Sequence, residues 1–158
     1  MPVTRFAGSA LALLVLATAL TSCSSGVAVP LPEPLPEGAA AYACAALKSE
    51  LPDEVLGNTT TATTPTSSFT SAWGAPAVVV RCGVAAPAAL TATSALITVD
   101  GIDWLPEQLE RGYLFTTVGR ELTIEVTVPD AYRPESDALV DLAPAVSTIP
   151  VIEATPAP

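Results

Sequence analysis

"YLFTTVGRELTIEVTVP", residues 113–129, decides the fold. Leu122, Ile124, Val126 and Val128 alternate with Glu121, Thr123, Glu125 and Thr127. Successive strand side chains point to opposite faces, so the alternation predicts a strand with one packed face and one wet face. Tyr113 to Val118 is aromatic, aliphatic and β-branched, and Gly119-Arg120 separates it from the alternating run. Together the two halves predict an antiparallel hairpin.

Other elements follow outward from this hairpin. "SALITVDG", 94–101, reads as a strand closed by the turn signal Asp100-Gly101. "AVVVRCGV", 77–84, is a second β-branched strand, with Val78, Val80, Cys82 and Val84 on one face and Arg81 on the other. In "AAAYACAALKSELP", 39–52, Ala40, Cys44, Leu47 and Leu51 form one helical stripe, and Pro52 ends it. "LPEQLERG", 105–112, predicts a short helix with Pro106 in its first turn and Gly112 just past its end. "RPESDALVDLAPAV", 133–146, predicts a closing helix between Pro134 and Pro144. "NTTTATTPTSSFTSAWGAP", 58–76, is polar and irregular, and a solvated loop is expected there. Its threonines are also candidates for O-mannosylation.

Helix, strands, short helix, hairpin and helix in that order predict an α+β fold: an antiparallel sheet of about four to five strands, with two to three helices mainly on one face. One domain is expected over 39–147, since that length suits a single core.

The start of the chain carries a different signal. A basic Arg5 precedes an uncharged apolar run from Phe6 to Leu20. A run of roughly 15 residues is short for a membrane span, which needs about 20, and fits a secretory signal peptide. It ends in Leu20-Thr21-Ser22-Cys23, which resembles the bacterial lipobox. That resemblance implies removal of residues 1–22 and diacylglyceryl transfer to the Cys23 thiol, the one side chain nucleophilic enough to accept it. Two acyl chains anchor a protein stably, where one does not. Prolines at 30, 32, 34 and 36 then predict an extended spacer over 23–38, lifting the domain off the membrane. Residues 148–158 are expected to be a frayed tail.

The chain has three cysteines. With Cys23 lipidated, Cys44 and Cys82 remain as a pair, and export makes a disulfide the expected state, against two buried free thiols. Both cysteines lie on faces read as inward, so helix and strand can bring them together.

Composition narrows the chemistry. The formal charge is -10, with no basic stripe, so nucleic-acid binding is not expected. The absence of histidine removes Ser-His-Asp and Cys-His catalysis and imidazole zinc sites. Lys48 is the one lysine and has no nucleophile motif beside it. Asp103, Glu107 and Glu110 are the nearest approach to a carboxylate pair, and Asp100 with Asp103 the nearest to a calcium site. Glu107 and Glu110 would share one helix face without opposed geometry, and the calcium candidate lacks alternating oxygen ligands. No enzyme activity, cofactor or metal is therefore expected. Trp73, Arg81, Trp104, Arg120 and Tyr132 are the candidate binding surface, because aromatic and Arg side chains supply interface hot spots. The competing reading buries the tryptophans at turns and pairs the arginines with acids.

"SAWGAPAVVVRCGV", "DGIDWLPE", "GYLFTTVGRELTIEVTVPDAYRPE" and "ALVDLA" occur in that order between Tyr42 and Ala143. The series resembles an actinobacterial family of exported proteins, domain of unknown function 3515. The resemblance implies an envelope protein, often a lipoprotein, with no assigned activity. Relatives sometimes lie near cell-wall precursor genes. They often carry arginines before the Trp73 motif, where this chain has threonines. The expected role is a non-catalytic binding or accessory lipoprotein on the extracytoplasmic face of the cell membrane, contacting an envelope protein or cell-wall component. The alternatives are a small-molecule or glycan carrier and, last, a cell-wall enzyme.

Overall fold

The predicted hairpin is the centre of a much larger sheet. A computed structural model describes residues 26–152; the expected signal peptide, Cys23 and residues 153–158 lie outside the described residues. In chain order the elements are β1 (Val27–Ala28), α1 (Gly38–Glu50), β2 (Glu54–Val55), β3 (Asn58–Thr61), β4 (Thr63–Thr64), β5 (Thr70–Trp73), β6 (Val78–Cys82), β7 (Ile97–Val99), β8 (Ile102–Leu109), β9 (Gly112–Val118), β10 (Ile124–Pro129) and α2 (Asp137–Val146), with a 3-10 turn at Asp130–Tyr132 before α2.

The fold is α+β, and its main sheet has eight strands in the order β2-β3-β5-β6-β10-β9-β8-β7. All of its pairings are antiparallel. This exceeds the four to five strands expected, and among the described residues there are two α-helices. The sheet is built from two meanders. β2 to β6 form one and β7 to β10 the other, and they join where β6 pairs with β10, Val80 opposite Val126 and Arg81 opposite Glu125. β4 leaves the first meander and pairs in parallel with β1.

The extra strands come from two stretches that the sequence reading assigned otherwise. The Thr-rich stretch contains β3, β4 and β5. Threonine is β-branched and fits a pleated, half-exposed surface, so polarity there marks an edge rather than a loop. Residues 105–112, expected as a short helix, belong to β8 and the start of β9. Pro106 is compatible with this because β7 pairs only with Ile102 to Trp104, leaving Leu105 onward bonded to β9 alone. On such an edge a missing N–H costs no ladder bond. Gly112 marks a close backbone approach: at φ +120°, a Cβ there would lie 2.1 Å from the Val128 carbonyl oxygen. Asp100 and Gly101 both have positive φ and join β7 to β8, as a two-residue hairpin turn requires.

Alternation sorts the two faces. Val78, Val80 and Cys82 on β6 and Ile124, Val126 and Val128 on β10 are buried. They join Cys44 and Leu47 of α1 and Leu139, Leu142 and Val146 of α2 in one core. α1 stops at Leu51, held extended before Pro52. α2 carries Pro144 inside its last turn rather than after it.

The opposite face is partly covered by the N-terminal segment that includes β1. From Gly26 the Pro-rich segment lies against the domain instead of standing free. Val27 N donates to the Ala62 carbonyl at 2.7 Å, Val29 N to that of Thr64 at 3.0 Å, and Val29 and Pro32 are buried. Pro36 sits over Gly83, where a Cβ would come within 2.4 Å of its Cγ. Residues 148–152, expected to fray, are also held: Ile149 is buried, Glu121 N donates to the Pro150 carbonyl and Ile152 N to that of Gly119, both at 2.9 Å.

Candidate functional site

Cys44 and Cys82 form the expected disulfide, with Cα atoms 5.6 Å apart. Helix period and strand period place both sulfurs in the layer between α1 and β6, where the residues are buried. This linkage ties the first helix to the centre of the sheet.

The five residues expected to form a binding surface do not converge. Trp73 and Trp104 are fully buried in the core. Trp73 Nε1 donates to the Pro52 carbonyl at 2.9 Å, anchoring the end of α1. Trp104 Nε1 is buried with no hydrogen-bond partner among the described residues. Arg120 Nη1 donates to the Ile149 carbonyl at 2.6 Å and holds the chain after α2 against the β9–β10 turn. Tyr132 Oη donates to the Pro76 carbonyl at 2.7 Å, locking the 3-10 turn onto the β5–β6 turn at Gly74. Arg81 faces Glu125 across the meander junction, Nη2 to Oε2 3.0 Å, both partly exposed. Such a cross-strand pair contributes about 0.2–1 kcal/mol. Of the five, Trp73 and Arg81 line depressions, on different faces, and the Arg81 charge is already matched by Glu125.

The helix face expected to hold Glu107 and Glu110 is replaced by strand β8 and the β8–β9 turn. Asp103 and Glu107 share one face of β8, four residues apart, so roughly 13 Å along the strand. A glycosidase pair sits about 5 to 9.5 Å apart. Asp103 also accepts a hydrogen bond from Thr98 Oγ1 at 2.6 Å. Glu110 lies in the β8–β9 turn. Among the described residues no group of three or more Asp, Glu, His or Cys is placed to hold a metal ion. Nor is any helix there long and apolar enough to cross a membrane.

Several depressions lie among the described residues. One of about 320 Å³ lies between the end of α1 and strands β3 to β5, lined by Lys48, Asp53, Thr60, Thr63, Thr66 and Thr70 among others. Lys48 Nζ donates to the carbonyls of Ser67 and Thr70, at 2.6 and 3.0 Å. The lone lysine thus pins the loop between β4 and β5, a role its sequence neighbourhood gave no reason to expect. Its neighbours come from the β-branched run read as loop, which is why the hollow was not foreseen. A second depression, about 400 Å³, lies on the opposite face where Val29 and Pro30 run past Arg81, Leu114 and Glu125. A third, about 290 Å³, is lined by Ile97, Pro106, Tyr113, Phe115, Pro134 and Glu135. In it the rings of Tyr113 and Phe115 stack, 5.7 Å apart.

Over residues 7–154 the chain matches the family described as Protein of unknown function (DUF3515). No curated protein and no solved structure matches it.

Proposed function

The chain belongs to the DUF3515 family, and we propose that it is an exported lipoprotein, acylated on Cys23, that works as a non-catalytic accessory or binding module on the extracytoplasmic face of the cell membrane. The observation that carries this reading is the cysteine arithmetic. Cys44 and Cys82 are joined in a buried disulfide, as suits an oxidising compartment. The third cysteine stands directly after the apolar run, at the position where a lipobox puts its acceptor. The separation of Asp103 from Glu107 and the lack of histidine favour binding over hydrolysis.

The first test is the intact mass of protein extracted from membranes. A chain beginning at Cys23 and carrying diacylglyceryl is the expected result, and an unmodified Cys23 would sink the proposal. Cross-linking on whole envelopes follows, with a photoreactive or carboxylate-directed reagent because Lys48 is the one lysine. One dominant protein partner would establish the accessory role. A second reading, a small-molecule or glycan carrier, draws on the stacked Tyr113 and Phe115 rings in their apolar hollow. Aromatic faces of this kind suit a sugar or another flat apolar surface.

A further inference from the structure

The attachment of the N-terminal segment fixes how far the folded domain can stand from its anchor. An extended 23–38 spacer would give roughly 45 Å of reach. Instead the chain is bound from Gly26 onward: Val27 N and Val29 N donate to the Ala62 and Thr64 carbonyls. Gly26 itself lies so close that a Cβ there would sit 2.7 Å from Thr64 Oγ1 and 2.9 Å from the Ala62 oxygen. Only three residue steps separate Cys23 from Gly26, at most about 11 Å of chain. An anchor on Cys23 therefore brings the Ala62–Thr64 edge to the lipid surface.

The chemistry of that edge suits such a neighbour. None of the 16 Asp and Glu residues falls between Glu54 and Asp100, although the chain's net charge is -10. Thr59, Thr60, Ala62, Thr64 and Thr66 are exposed, and their hydroxyls can donate to phosphate and ester oxygens. Lys48 adds a positive charge at the adjoining hollow, where Asp53 is the one lining carboxylate. Asp53 and Glu54 stand on the β2 side, where Glu54 pairs opposite Thr59, so the stretch that carries no acid and adjoins Gly26 runs from Ala62 to Thr66, and it is this part that meets an anionic surface with the least like-charge repulsion.

Resting on the lipoprotein reading above, we propose that the edge from Ala62 to Thr66, with Lys48, is a docking surface for the phospholipid headgroups of the membrane that holds Cys23. The domain lies with this edge against the bilayer, its sheet standing away from the membrane and β7 farthest out. β3 and β7 occupy the second and eighth places in the sheet. Six strand spacings of about 4.8 Å put them roughly 29 Å apart.

The test uses the lipidated full-length chain in phosphatidylglycerol-containing vesicles that carry a headgroup-attached quencher. Thr60→Cys and Thr98→Cys each add one free thiol at an exposed strand position, and each is labelled with the same dye. The expected result is loss of most of the Thr60 dye's fluorescence and retention of most of the Thr98 dye's. Equal quenching, or the reverse order, in protein whose mass shows acylated Cys23 would overturn the docking surface and leave the lipoprotein reading standing. An unmodified Cys23 in the same preparation would overturn both.

Discussion

Reducing the Cys44–Cys82 bond should cost the domain a large part of its stability. The bond joins residues 38 apart in sequence. Closing a loop of about 39 residues removes roughly 13 cal/mol/K from the unfolded chain, or about 4 kcal/mol at 25 °C. Unfolding entropy near ~2.1 cal/mol/K per residue gives about 0.27 kcal/mol/K over the 26–152 domain. The melting temperature should therefore fall by about 15 °C on reduction. Reduction removes no heavy atom, so it comes close to isolating the cross-link. The Cys44→Ala/Cys82→Ala variant should fall a further ~1–2 kcal/mol, because two buried sulfurs leave space behind them. The assay is calorimetry of a Cys23→Ser chain with and without a phosphine reductant. A drop below about 4 °C would show that the reduced, unfolded chain is already as compact as the bridged one, and the loop argument would fail.

Three further outcomes are expected. Gly112→Ala places a methyl 2.1 Å from the Val128 oxygen at φ +120°; it should cost at least about 2 kcal/mol in urea unfolding, and a change below ~0.5 kcal/mol would contradict the packing of β9 on β10. Trp73→Phe should be more destabilising than Trp104→Phe by about 1 kcal/mol, since Trp73 Nε1 is bonded to Pro52 and Trp104 Nε1 is not, though both are fully buried; equal losses would refute this. Gly83→Ala drives a methyl into Pro36 and should speed hydrogen exchange at Val27 and Val29 with the β9–β10 amides unchanged; unaltered exchange at Val27 would show that the segment does not depend on this contact.

The hairpin, the strand bearing Cys82, the first helix and the closing helix were legible because each buries a regular stripe, such as Val78, Val80 and Cys82 or Cys44 and Leu47. The disulfide was legible because two different periodicities pointed its cysteines inward. β8 was not, because Trp104, Leu105 and Leu109 are spaced as well for a helix as for a strand, and only the pairing with β9 decides between them. The Thr-rich strands were hidden by reading polarity as loop, when a strand at a sheet edge needs few apolar residues. Of the expected surface, Trp73 and Trp104 follow the competing reading and are buried, each beside turn residues. Those glycines and prolines bend the backbone around a buried ring as readily as they display an exposed one. The bound Pro-rich segment could not be read at all, since its anchoring partners are backbone carbonyls of Ala62 and Thr64.

The joint between the two meanders has a consequence for how the chain finds its structure. Every ladder in the main sheet except one links strands that are close in the chain, and such contacts form early because their loops close cheaply. The β6–β10 ladder is the exception, with partners about 45 residues apart. Each half can zip on its own, and the rate of folding is then set by one event, the edge of β6 meeting the edge of β10. Until it happens, both edges are bare and open to another copy of the chain. The Arg81–Glu125 pair sits on that line. Its opposite charges favour the register that closes the sheet.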